Sequence, residues 1–307
     1  MITAKDQHSE TRDGVIAAVI AYTLWGLFPV YFKWTGQVSP AEMVAHRVVW
    51  AVPFGAIIII ARKQLGDVRD ALAHLRTIVY LVLGAILIAA NWLLYVWAVQ
   101  NGQIFQASLG YYINPLMYVL VGVVVYHDHL GRLQKVAVAL ALTAVLVLTF
   151  LGGTLPWISL VLAASFTGYG VIRKHLAVAA MPGLFVETLV LFLPAVAYLV
   201  YGVSAGTAAI TTASPGLVAL LILAGPVTVL PLLMFAIAAR RLTLSTIGFL
   251  QFIGPTLQFL MGLIYGEQLT IYYFVCFVLI WVAAFLYAWD LWSRGRTVGK
   301  AQLTRPG

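Results

Sequence analysis

Tyr112-Ile113-Asn114-Pro115-Leu116 and Phe252-Ile253-Gly254-Pro255-Thr256 are two versions of one pattern, 140 residues apart. The offset persists around them, so that Tyr95, Ala98, Pro115, Leu120 and Gly122 are answered by Phe235, Ala238, Pro255, Leu260 and Gly262. Slackened by a residue or two, it also pairs Pro40 with Pro182 and Pro53 with Pro194. Weak similarity between two hydrophobic halves is the usual mark of a transporter built by duplication.

Hydrophobic residues make up 63% of the chain and charged residues 9%, against about 25% charged in a soluble globule. Such a chain belongs in a bilayer. A crossing helix needs about 20 mostly apolar residues. Ten such segments can be drawn, at 13–34, 40–61, 76–99, 104–126, 133–151, 156–173, 183–202, 216–239, 243–265 and 270–291. The first segment is too long for a signal-peptide core and lacks a clear small-residue cleavage site, so it reads as a retained helix. The single cysteine, Cys276, excludes an internal disulfide and offers no metal cluster.

The net charge of +8 is explained by where the cations lie. If the chain crosses ten times, 16 of the 18 Lys and Arg residues fall on one side; Lys33 falls opposite and Arg47 lies within a helix. The positive-inside rule then places both termini in the cytoplasm. No nucleic-acid partner is needed to account for the charge. Five helices per half is an odd number, so the second half enters the membrane upside down relative to the first. The expected architecture is an all-α integral membrane protein with ten transmembrane helices in two inverted five-helix repeats. Residues 1–12 form a cytoplasmic tail, 13–151 and 156–291 the repeats, and 292–307 a basic cytoplasmic tail.

The run Asn91-Trp92-Leu93-Leu94-Tyr95-Val96-Trp97-Ala98-Val99, with Ala107-Ser108-Leu109-Gly110-Tyr111-Tyr112-Ile113-Asn114-Pro115-Leu116, resembles the RarD-type permeases. These are EamA-family members of the drug/metabolite transporter superfamily. Ala21-Tyr22, Trp25-Gly26, Tyr31-Phe32-Lys33, His46-Arg47-Val48-Val49-Trp50 and Leu244-Ser245-Thr246-Ile247-Gly248-Phe249 resemble the same group. The resemblance implies a bacterial inner-membrane carrier exporting amino acids, related metabolites or drugs such as chloramphenicol. It implies a central cavity formed mainly by helices one to four and six to nine, with five and ten peripheral. Members often carry Gly-Glu-Arg after the fourth and ninth helices. Here Gly266-Glu267 keeps part of it, whereas the first half reads Tyr126-His127-Asp128-His129.

Ionisable groups inside hydrocarbon are costly and usually face a cavity or a partner. Glu42 and His46, four apart, share a helix face. Arg47 is turned about 100° from His46 and can face other neighbours. Its planar donor fork suits an anionic group on a substrate; a structural pairing with a carboxylate or a freed backbone carbonyl is the alternative. An offset of 141 sets His46 opposite Glu187. Histidine titrates near neutrality and a buried glutamate is shifted upward, so protons are a candidate coupling ion, beside a purely structural role for both residues. Gly26, Pro29, Pro115, Gly254 and Pro255 mark expected kinks, tolerated in lipid only where freed backbone is buried or lines a cavity. Asn91, Trp92, Tyr95, Tyr111, Asn114, Gln251 and Gln258 near those kinks form the expected pocket lining, apolar walls with a few polar anchors.

No zinc, nucleophile-elbow or nucleotide-binding motif is present. His127-Asp128-His129 lacks a supporting cluster, so no metal or other cofactor is expected. An alternating-access carrier is therefore the leading reading, with a passive facilitator or channel as the alternative and a membrane-embedded enzyme as a remoter one. The expected partners are a small-molecule substrate and lipid; the sequence leaves monomer and homodimer open.

Overall fold

A lipid environment offers the backbone no hydrogen bonds, so each crossing segment must satisfy its own amides by coiling into a helix. The computed structural model describes residues 4–127 and 129–303, without the side chains of 4–9, Tyr126, Leu244, Ser245 and 291–303. All regular structure among them is helical. In chain order the helices are α1 (Ala4–Gly26), α2 (Phe28–Trp34), α3 (Pro40–Ala61), α4 (Leu65–Ala73), α5 (Leu75–Gln100), α6 (Ile104–Tyr126) and α7 (Arg132–Leu146). There follow α8 (Trp157–Lys174), α9 (Ala180–Ser204), α10 (Pro215–Arg241), α11 (Leu244–Leu250), α12 (Ile253–Ile264) and α13 (Ile271–Leu303). A π-helical turn, Val147–Leu151, extends α7. Among the described residues nine helical stretches are long and apolar enough to cross a membrane. The segment expected at 156–173 is the 18-residue α8, which is not one of those nine. The short amphipathic helix α4, burying Val68 and Ala71, lies in what reads as a polar loop.

Local chemistry sets the boundaries. Ser39 accepts from the Glu42 N–H ahead of Pro40, and Ser214 from the Leu217 N–H ahead of Pro215. This pairs a side-chain cap with a proline whose missing N–H costs nothing in the first turn. At the other end, Gly206 and Gly266 follow α9 and α12 at φ of 69° and 79°, the left-handed conformation that closes a helix.

Two of the expected kinks are breaks in the helix. α1 gives way to α2 at Leu27, with Pro29 in the first turn of α2. Pro29 cannot donate to the Trp25 carbonyl four residues earlier, and the Gln258 side chain donates to that carbonyl instead at 3.2 Å. α11 yields to α12 at Gln251-Phe252, where the ring of Pro255 denies Gln251 its helical partner. α6, in contrast, runs uninterrupted through Pro115.

α1 packs on α10 and α12, and α8 packs on α5 and α6; α3 lies against α9 and α10, and α9 against α5 as well. α6 meets α12, and α7 pairs with α13 at the edge of the bundle. Close approach depends on small residues. A Cβ placed on Gly225 of α10 would collide with the Trp50 carbonyl of α3. Backbone cannot swing aside, so Gly225→Ala is expected to destabilise the protein by about 1–3 kcal/mol, read as a lowered melting temperature in detergent.

Candidate functional site

Among the described residues one Lys or Arg side chain, that of Arg47, is fully buried. Arg47 lies in the second turn of α3, on the order of 10 Å along the helix from Pro40, and is 2% exposed. Its guanidinium carbon sits 4.3 Å from the ring centroid of Trp92 on α5, 5.5 Å from Phe28 and 5.4 Å from Phe32 on α2. Aromatic faces attract a cation through their quadrupoles, more strongly once water is removed. Nε donates to Thr228 Oγ1 of α10 at 3.1 Å, its one hydrogen bond among the described residues, and no carboxylate lies within ion-pair distance there. The sequence left Arg47 a carboxylate or a freed carbonyl as structural partners; the structure supplies a hydroxyl and three rings. Thr228→Val should leave Nε without an acceptor at a cost of about 1–3 kcal/mol, measurable as a lowered melting temperature.

A polar seam adjoins the cation. Tyr95 and Tyr111 meet edge to face at 5.6 Å, and Tyr95 touches Phe32 at 5.9 Å. Tyr111 donates to Asn91 Oδ1 at 3.4 Å, while Asn91 Nδ2 donates to the Leu162 carbonyl and Ser165 Oγ. Asn114 accepts from Thr167 at 2.8 Å, and Tyr31 donates to the Leu220 carbonyl at 2.8 Å. The buried Tyr95 hydroxyl has no partner among the described residues. Trp92, Asn91, Tyr95 and Tyr111 thus gather beside Arg47 or one contact away. Gln258 serves the freed carbonyl of Trp25, and Gln251 stands half-buried at the α11–α12 break.

His46 and Glu187 are not brought together. His46 Nε2 lies 3.8 Å from Glu42 Oε1, and the ring edges a groove of about 440 Å³ between Val49, Trp50, Leu199 and Ser204. Glu187 is twelve residues before Leu199 on α9, about 18 Å along the axis. It accepts from the Tyr169 hydroxyl at 2.9 Å and pairs with Arg173 at 3.5 Å. Both residues are buried, each in its own pair.

Two carboxylates grip backbone far away in sequence. Glu42 accepts from the N–H groups of Ala209 and Ile210, at 3.0 and 3.3 Å. Glu267 accepts from those of Ile104 and Phe105 at the start of α6, the latter at 2.8 Å. Helix N-termini favour such anions because their first N–H groups are unpaired and carry the positive end of the dipole. Burial pushes the Glu267 carboxyl above the usual carboxylate range, against the downward pull of the two N–H groups and Lys33. The grip of Glu267, together with Thr228, Phe28 and Phe32, went unseen as site features in the sequence. Asp128 of the His127-Asp128-His129 run lies outside the described residues, as do the side chains of the basic tail.

Helices of crossing length, large apolar side chains such as Phe150, Leu193 and Ile264 turned outward, and a charged group sealed inside define a multi-pass membrane protein that buries a charge among its helices. The EamA-like transporter family matches residues 12–150. An uncharacterized transporter of Pseudomonas aeruginosa is 41% identical over 297 residues, covering 96% of this chain and 98% of that one. The protein RarD of Salmonella typhi is 43% identical over 282 residues, covering 92% and 96%. A solved crystal structure superposes with a TM-score of 0.58 over 89% of this chain and 96% of that one; at 16% identity the likeness is one of fold. The chain belongs to the EamA-like transporter family, as a RarD-type member of the drug/metabolite transporters. It is a membrane transporter and not an enzyme, and its partners are lipid and a small-molecule substrate.

Proposed function

We propose that this protein is a secondary carrier of the bacterial inner membrane that exports small amphipathic solutes by alternating access to a site around Arg47. The observation that carries the reading is the Arg47 cluster itself, because its parts come from α2, α3, α5, α6 and, through Thr228, α10. A site shared by both halves of the chain is remade whenever one half rocks against the other. Amino acids, related metabolites and drugs such as chloramphenicol are the solutes that the family resemblance suggests.

The packing supports two inverted repeats, 13–151 and 156–291, with α8 as a tenth crossing. Exchanging the halves turns α1 on α10 into α8 on α5, α1 on α12 into α8 on α6, and α3 on α10 into α9 on α5; each of these contacts exists. The pairs α3–α9, α6–α12 and α7–α13 map onto themselves. With both termini cytoplasmic, Glu42 and Glu267 sit at the outer end. Each reaches from its own half to backbone of the other, so the two grips together hold that end closed.

Proteoliposome flux of radiolabelled amphipathic solutes, amino acids, their 2-oxo acids and amphenicols among them, tests the reading. A carrier gives saturable flux that is stimulated by solute on the far side. Flux linear in concentration and blind to trans solute indicates a channel.

A further inference from the structure

We propose that the solute is a compact organic monoanion, a carboxylate on an apolar or aromatic body, and that its exit is driven by the inside-negative membrane potential. The proposal rests on the reading of Arg47 as the transport site. A guanidinium keeps its charge under all physiological conditions, and this one is buried, its hydrogen-bond and ring contacts among the described residues being one hydroxyl and three aromatic faces. The buried and half-buried glutamates among the described residues are engaged elsewhere. Glu42 holds Ala209, Ile210 and His46, Glu187 holds Tyr169 and Arg173, and Glu267 holds the start of α6. Among the described residues, the hydroxyls of Tyr31, Tyr95 and Tyr111 lie within electrostatic reach of Arg47. That of Tyr95 is a buried donor with no acceptor among the described residues. The site therefore carries a net positive charge and an unused O–H, and an incoming carboxylate satisfies both.

The same arithmetic selects against other solutes. The ammonium of a zwitterion or a cationic drug would meet Arg47 with no carboxylate to match it, and burying an unpaired charge is costly. Phe32, Tyr95 and Tyr111, edge to face beside the cation, suit a flat apolar body. Driving force follows from charge. An anion bound to Arg47 crosses as a neutral complex and the empty carrier returns as a cation, so one negative charge leaves per cycle. An inside-negative potential pushes that charge outward, which supplies direction without a nucleotide or a coupled proton.

The test is efflux from proteoliposomes loaded with radiolabelled phenylpyruvate, against phenylalanine as the zwitterion and phenylalanine amide as the cation. A potassium gradient with valinomycin sets the potential. Expected is saturable phenylpyruvate efflux that an inside-negative potential accelerates by roughly tenfold, with the zwitterion and cation at least about tenfold slower. Arg47→Gln should lose the preference, and Arg47→Lys should retain the potential dependence at a reduced rate. The wild-type comparison stands even if a variant fails to fold. Saturable, Arg47-dependent flux of phenylalanine that ignores the potential would overturn this proposal and leave the carrier reading intact. Absence of saturable flux for all three probes would overturn both.

Discussion

Arg47→Gln is expected to cut transport by about 30-fold to several thousand-fold while the protein still inserts and elutes as a single species. Removing one partner of a buried charge pair typically costs about 2–5 kcal/mol, and here the partner left unpaired is the bound solute. The fold loses one hydrogen bond and three ring contacts but sheds a buried charge. Arg47 makes one hydrogen bond, to Thr228, and no ion pair among the described residues, so glutamine relieves a buried charge and keeps a donor within the same turn. The melting temperature should hold or rise, the pattern of a site kept at some expense to stability for the sake of function. A parallel loss of folded protein would instead assign Arg47 a structural role.

Glu267→Ala is expected to open the outer end. The variant leaves the N–H groups of Ile104 and Phe105 without their charged acceptor, a loss of about 1–3 kcal/mol that shifts the closed-to-open ratio by about 5- to 150-fold. Labelling of a cysteine placed at Gln103 by a membrane-impermeant reagent, in a Cys276→Ser background, should quicken accordingly. The pH sense follows from the raised carboxyl of the gripped state. Released into water, Glu267 returns to the ordinary carboxylate range, so the gripped state binds the proton more tightly. Acidification through that window favours closure, and closure weakens as pH rises through the raised value. Glu267→Gln, neutral throughout, should remove this dependence.

The crossing segments were legible because a bilayer imposes one length and one composition on each of them; α3, α5, α9 and α10 fall within a few residues of their expected bounds. The α1–α2 break was legible from Gly26 and Pro29. The α11–α12 break falls four residues ahead of Pro255 because a proline disturbs the carbonyl one turn earlier, not its own position. α4 was missed because Asp67, Arg69 and Asp70 hide its two buried residues from any hydropathy reading. Arg47 announced itself as a charge in hydrocarbon, yet Thr228, 181 residues away, carries no local sign of being its acceptor. Glu267 was visible as half of a family motif, but the N–H groups it grips belong to backbone, which leaves no side-chain trace.

The claim that one buried site is reached from either face in turn is tested most directly by Tyr111→Cys in the Cys276→Ser background. Impermeant thiol reagent is applied from inside or outside, with and without transported solute. Labelling from both faces, slowed by solute on either side and by conditions that hold the opposite end open, is the expected result. Labelling from one face alone, unchanged by solute, would contradict it.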